Sequence, residues 1–163
     1  MEEVSLDLGL ARLDAAANRG RAIFLLCGVM DLVLIPQDDV VKIWRGTVHD
    51  MIDAAFAASD VPMPDDILEQ LSGGKRQLWL AVDTEARIRA AMLTAVYVMR
   101  SGKMLKMMEC GGSSMSDWLS LRVQIEEYAK AQGCDRVTLE GRPGWRDVLR
   151  DYKMTGVTLE KRI

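Results

Sequence analysis

Glu109 closes an apolar run, and directly behind it stand Cys110, Gly111, Gly112, Ser113 and Ser114, with Ser116 two positions further on. A strand-end carboxylate can take a proton from an amine when its pKa is raised and it lies within hydrogen-bond reach of that amine or of a bridging water. A glycine–serine turn ahead of a helix turns backbone N–H groups and the positive end of the helix dipole toward one spot, where an anion can sit. The plainer alternatives are a charged strand end facing water and an ordinary loop. His49 is the only histidine, so a Ser-His-Asp triad or a histidine metal site would rest on that residue alone, and nothing argues for either. Cys27, Cys110 and Cys134 are odd in number and lack CxxC spacing, which indicates neither a disulfide framework nor zinc. No metal site is expected, and a reducing compartment is the natural reading.

The elements that must hold these residues run from Lys103 to Glu140. Lys103–Cys110 reads as a strand, 111–116 as a loop, Asp117–Gln132 as a helix and Arg136–Glu140 as the next strand. The helix rests on Trp118, Leu121, Ile125, Tyr128 and Gln132, whose 3-4-3-4 spacing makes one stripe. Ser116 or Asp117 can cap it, and Gly133 stops it. Such a βαβ unit has parallel strands and a right-handed crossover.

Upstream, Met30–Ile35 is a strand ended by Pro36, and Asp38 or Asp39 caps a helix reaching about Ala58 with Gly46 as a mild defect. Pro64 opens a short helix to Leu71. Gln77–Asp83 and Ile88–Arg100 are antiparallel strands, and Ser101-Gly102 turns the second into Lys103–Cys110. Downstream, 141–144 is a turn, Trp145–Tyr152 a helix and 157–163 a closing strand. The whole is mixed α/β, its sheet antiparallel in the first half and parallel at the centre, flanked by helices.

Residues 1–29 read either as an extension of a domain spanning 30–163 or as an extra helix and strand of the same fold. Glu2 and Glu3 argue against a signal peptide, and the apolar run between Arg21 and Asp31 is too short to span a membrane. The chain has 163 residues and a net charge of −3 without a basic run, which disfavours nucleic acid as a partner. Acid gathers in residues 31–70, where Lys42 and Arg45 are the only cations. Methionines at 104, 107 and 108 and the four tryptophans read first as packing, and second as a surface that beds against a partner.

The order of elements resembles the GNAT superfamily of acyl-CoA N-acyltransferases. EEYAKAQGCDRVTLE (126–140) is similar to the helix and fifth strand of that superfamily. DYKMTGV (151–157) is similar to its Y-x-x-x-G-F segment, with Tyr152 and Gly156 in place and Val157 for the aromatic. Among such proteins the chain most resembles divergent members encoded by tailed phages and prophages. The resemblance implies that Glu109 helps deprotonate an amine and that Tyr152 protonates the departing thiolate. It also implies that Gly111, Gly112, Ser113, Ser114 and Ser116 cradle acetyl-CoA, all of this only if the chain is active.

Active members carry [QR]-x-x-G-x-[GA] before the helix. Counted back from Gly133, those small residues fall near Ser116 and Trp118, where an indole stands in the way of a diphosphate. A frame using Gly111-Gly112 lengthens the loop and lacks the preceding Gln or Arg. The expectation is therefore a GNAT-like scaffold with a degenerate CoA loop and no cofactor. It would be a phage-encoded, virion-associated protein that binds protein partners or itself and lies in the host cytoplasm or the virion. An acetyl-CoA-dependent N-acetyltransferase is the alternative.

Overall fold

A computed structural model of the chain describes residues 30–113, 115–140 and 144–156. Its frame is a five-stranded sheet in the order β1-β2-β3-β4-β5: β1 Met30–Leu34, β2 Gln77–Asp83, β3 Ile88–Met99, β4 Gly102–Gly112 and β5 Arg136–Leu139. The first four strands form an antiparallel meander, and β5 joins β4 in parallel. This is the mixed sheet expected from the sequence. The expected strand over 157–163, the turn residues 141–143 and the segment 1–29 lie outside the described residues.

Alternation along the strands loads both faces of the sheet, because successive side chains point to opposite sides. On one face Leu78, Leu80, Ala91 and Leu93 meet Val40, Val48, Ile52 and Phe56 from helices α1 (Gln37–Ile43) and α2 (Thr47–Ala58), and Leu71 from α3 (Ile67–Ser72). On the other, Leu32, Trp79, Met92, Leu105 and Met107 meet Trp118, Ile125 and Ala129. Each such fully buried aliphatic side chain contributes about 1.5–3 kcal/mol. Trp79 needs a partner for its indole N–H and finds the buried Thr94 hydroxyl at 3.0 Å, which in turn donates to Gln77 Oε1 at 3.0 Å. Tyr128 stacks edge-on against Trp79 at 5.3 Å and so fixes the second helical layer to the sheet.

All four expected helices depart from the sequence reading, two by breaking and two in their bounds. The stretch expected to run to Ala58 without interruption divides into α1 and α2 at Gly46, whose φ of +65° belongs to the left-handed region. Trp44 and Val48, one on each side of the break, are both buried. The helix expected over Asp117–Gln132 is in three pieces: α4 (Met115–Trp118), a 3₁₀ turn (Leu119–Leu121) and α5 (Arg122–Ala131). Its end is as expected, with Gly133 at φ +74° and the Cys134 N–H returning to the Ala129 carbonyl at 2.9 Å. Helix α6 covers only Trp145–Val148 of the expected Trp145–Tyr152, and α3 begins at Ile67.

Candidate functional site

The antiparallel β3–β4 register slips between Met92 and Thr94, which pair with Cys110 and Met107. Leu93 thus faces two residues, Met108 and Glu109, and β4 carries a bulge there. Bulges bend a strand and end its pairing. On the other side of β4 the parallel register with β5 runs from Met104↔Arg136 to Met107↔Leu139 and stops. Strand β4 continues for another five residues, Met108–Gly112, past that last pair. The sheet forks at this point, and a cavity of about 90 Å³ opens there, lined by Ser59, Lys106, Met107, Met108, Glu109 and Glu140.

Glu109 therefore stands in the bulge and on the wall of the fork. Arg76, from the residue ahead of β2, brings Nη1 to 3.6 Å from Glu109 Oε2, an ion pair too long for a hydrogen bond. Both atoms are buried and make no hydrogen bond among the described residues. Arg76 is aimed by Gln70 of α3, which accepts from its Nε at 2.7 Å and from its backbone N–H at 3.1 Å. No sequence signal pointed to Arg76, because nothing in the local pattern ties the start of β2 to the bulge of β4. Across the fork, Lys106 holds Glu140 at 2.8 Å.

Gly111 and Gly112 belong to β4, not to the loop in which the sequence reading put them. Gly111 pairs with Ala91, and a Cβ built on it would lie 1.8 Å from the Met51 carbonyl oxygen of α2. Its bareness is thus taken up by a helix. Gly112 has φ +137°, and a Cβ there would lie 2.4 Å from the Arg89 carbonyl oxygen. Ser113 donates its N–H to that same Arg89 carbonyl at 3.0 Å. Ser116 bonds Asp117 at 3.1 Å on the surface, and Ser114 lies outside the described residues. Trp118 is folded under the sheet at 5% exposure, and its indole N–H donates to the Ser113 carbonyl at 3.2 Å. It packs beside Leu32, Ala90, Met92 and Cys110. Burial pushes the Cys110 thiol up to about 12.

Tyr152 follows α6. Its hydroxyl donates to Glu126 Oε1 of α5 at 2.9 Å, and Arg122 bridges Glu126 at 3.5 Å and Asp151 at 2.7 Å. Burial, then the bond to Glu126, raises the Tyr152 phenol well above its usual range. The hydrogen bond from Arg122 holds Asp151 below the ordinary carboxylate range. Asp151 thus serves α5, while Arg146 lies 3.8 Å from Asp147. The structure gives Glu109 and Tyr152 different partners, a guanidinium and a carboxylate. Among the described residues, no three His, Cys, Asp or Glu converge as a metal site, and no helix is long and apolar enough to cross a membrane.

No family model and no curated protein matches the sequence. Solved structures do match the fold. An aminoglycoside acetyltransferase from an uncultured soil metagenomic sample, in complex with trehalose, superposes with a TM-score of 0.62 at 10% identity, covering 83% of this chain and 97% of that one. A ribosomal-protein-alanine N-acetyltransferase from Brucella melitensis biovar Abortus gives 0.58 at 10% identity, covering 82% and 97%. A GNAT family acetyltransferase from Staphylococcus aureus gives 0.54 at 12% identity, covering 83% and 99%. The chain has the fold of the GNAT acetyltransferases. Fold alone does not assign chemistry, which belongs to the site.

Proposed function

We propose that this GNAT-fold chain is an interaction protein that no longer turns over acetyl-CoA. The observation that carries the reading is Trp118. A diphosphate needs nearly bare backbone amides at the head of a helix. Here an indole is buried beside that loop and bonds its Ser113 carbonyl. Three further features support it. The helix behind the loop begins as a single turn and a 3₁₀ turn. Gly111 is closed by Met51, and the Tyr152 hydroxyl is engaged by Glu126. The residues at the loop do not fit the cofactor. The likeness to members encoded by tailed phages makes a virion one assembly in which such a role would be exercised.

A second reading, an acetyl-CoA-dependent N-acetyltransferase on an unidentified amine, is favoured by one feature. Among the described residues, the fork leaves the β5-facing edge of β4 without a strand partner over Met108–Gly112, beside Glu109. Isothermal calorimetry with acetyl-CoA separates the two. No heat and no thermal stabilisation at millimolar acetyl-CoA supports the interaction protein. Saturable binding overturns it, since a ligand at a hundred times its Kd stabilises by about 2.7 kcal/mol.

A further inference from the structure

The β3–β4 hairpin outruns the rest of the sheet. Pairing with β2 ends at Gln77↔Thr94, whereas β3 and β4 stay paired to Met99↔Gly102. Among the described residues the last stretch of β3, residues 95–99, is therefore an open edge, and Tyr97, Val98 and Met99 at its end are 38%, 83% and 49% exposed. Long apolar edges template association unless something covers them. The tip is also cationic: Arg100 is exposed and Lys103 and Arg136 lie close by, against Asp135 as the nearby acid. Two tips meeting face to face would bring like charges together.

The opposite character lies on the outer face of α2. Ala54, Ala57 and Ala58 are exposed there among Asp50 and Asp53, and Val61 past the helix end is 48% exposed. Residues 37–72 hold eight acidic side chains against Lys42 and Arg45. One chain thus carries both halves of an apolar contact ringed by complementary charge.

We infer that the Tyr97–Arg100 hairpin tip docks on the acidic outer face of α2 in a second copy of this chain. Such a contact is head-to-tail, and repetition of it yields a ring or a filament. This gives the interaction role its partner. The test reads association, whereas calorimetry reads acetyl-CoA, so the failure of one is distinct from the failure of the other.

Sedimentation velocity on the full chain is the experiment. Association is expected at about 0.01 M salt, with a Debye length of ~30 Å, and its loss at about 1 M, where that length is ~3 Å. V98E/R100E at the tip and D50K/D53K on the helix each weaken association by at least about tenfold, because a favourable charge pairing becomes a repulsive one. An equimolar mixture of the two variants restores it, since the acid tip of one then faces the basic helix of the other. All four positions are exposed, and matching melting curves check the fold. A wild-type chain monomeric across both salts, association that survives the tip reversal, or a mixture that fails to associate overturns the inference.

Discussion

Replacing Trp118 with glycine tests the steric reasoning directly. The side chain is 5% exposed and packs among Leu32, Ala90, Met92 and Cys110, so its removal leaves a hole in a layer that closes poorly around it. Deleting a core aromatic costs about 3–5 kcal/mol. For a chain of this length each kcal/mol moves Tm by roughly 2–4 °C, so the variant melts about 6–20 °C lower. The Ser113 carbonyl also loses its indole donor. The same change bares the backbone beside the loop, so acetyl-CoA, which the proposed function expects to leave the wild-type chain unmoved, should now raise Tm. At a hundred times Kd the gain is about 2.7 kcal/mol, or roughly 5–11 °C by the same conversion. Differential scanning fluorimetry with and without acetyl-CoA reads both effects. A variant that melts within about 2 °C of wild type contradicts the packing, since that corresponds to roughly 1 kcal/mol or less. A destabilised variant that still ignores acetyl-CoA refutes Trp118 as the obstacle.

Gly111→Ala drives a methyl group into the Met51 backbone carbonyl, and the overpacking costs about 1–3 kcal/mol or more; Gly144→Ala, with nothing among the described residues within 4 Å, should leave Tm nearly unchanged in the same assay. Cys110, raised to about 12 by burial, stays a thiol near neutrality, so peptide mass spectrometry after iodoacetamide should find it unmodified in the native protein and labelled in denaturant. Tyr152 has a folded pKa above its unfolded value of about 10. Its contribution to stability is whole below that pH and is lost as the pH climbs beyond it, and Tyr152→Phe should flatten the alkaline limb of the stability profile. Asp151 runs the other way: its folded pKa is depressed by Arg122, so its contribution is present above the unfolded pKa of about 4 and fades as the solution becomes more acidic. Asp151→Asn should flatten the acid limb of chemical-denaturation midpoints.

Strands were the legible part of the sequence because alternation and turn residues act locally. Gln77–Asp83 is a strand to the residue, and β3 falls one short of the expected Arg100. Periodicity failed where the tertiary fold overrides it. Trp44, Val48 and Ala55 hold the same inward spacing on either side of Gly46, so the stripe conceals the break; only the +65° φ, a matter of backbone geometry, reveals it. Likewise Trp118, Leu121 and Ile125 satisfy one helical face, yet Leu119–Leu121 tighten into a 3₁₀ turn while Trp118 lies under the sheet. At the candidate site Glu109 could be picked out as a strand-end carboxylate. The bulge that holds it depends on the register of a neighbouring strand, and Arg76 reaches it across the fold. Pairings of that kind leave no trace in local spacing.

The parallel joint between β4 and β5 has a mechanical meaning. Among the described residues it is four register pairs long and lies at the margin of the sheet, whereas β3 and β4 are zipped from Ala90↔Gly112 to Met99↔Gly102. The antiparallel meander is the stiff chassis; the α5–β5 half is hydrogen-bonded to it along this short seam and is otherwise held by the packing of Ile125, Tyr128 and Ala129 beneath the sheet. Clamps near that seam are few: Lys106 to Glu140, Lys103 to the Gln132 carbonyl, Arg136 to the Ser101 hydroxyl and the Asp135 N–H to the Lys103 carbonyl. Load or heat should therefore peel this half away first, and a molecule that grips both sides of the seam gains by splinting a joint the chain leaves weak.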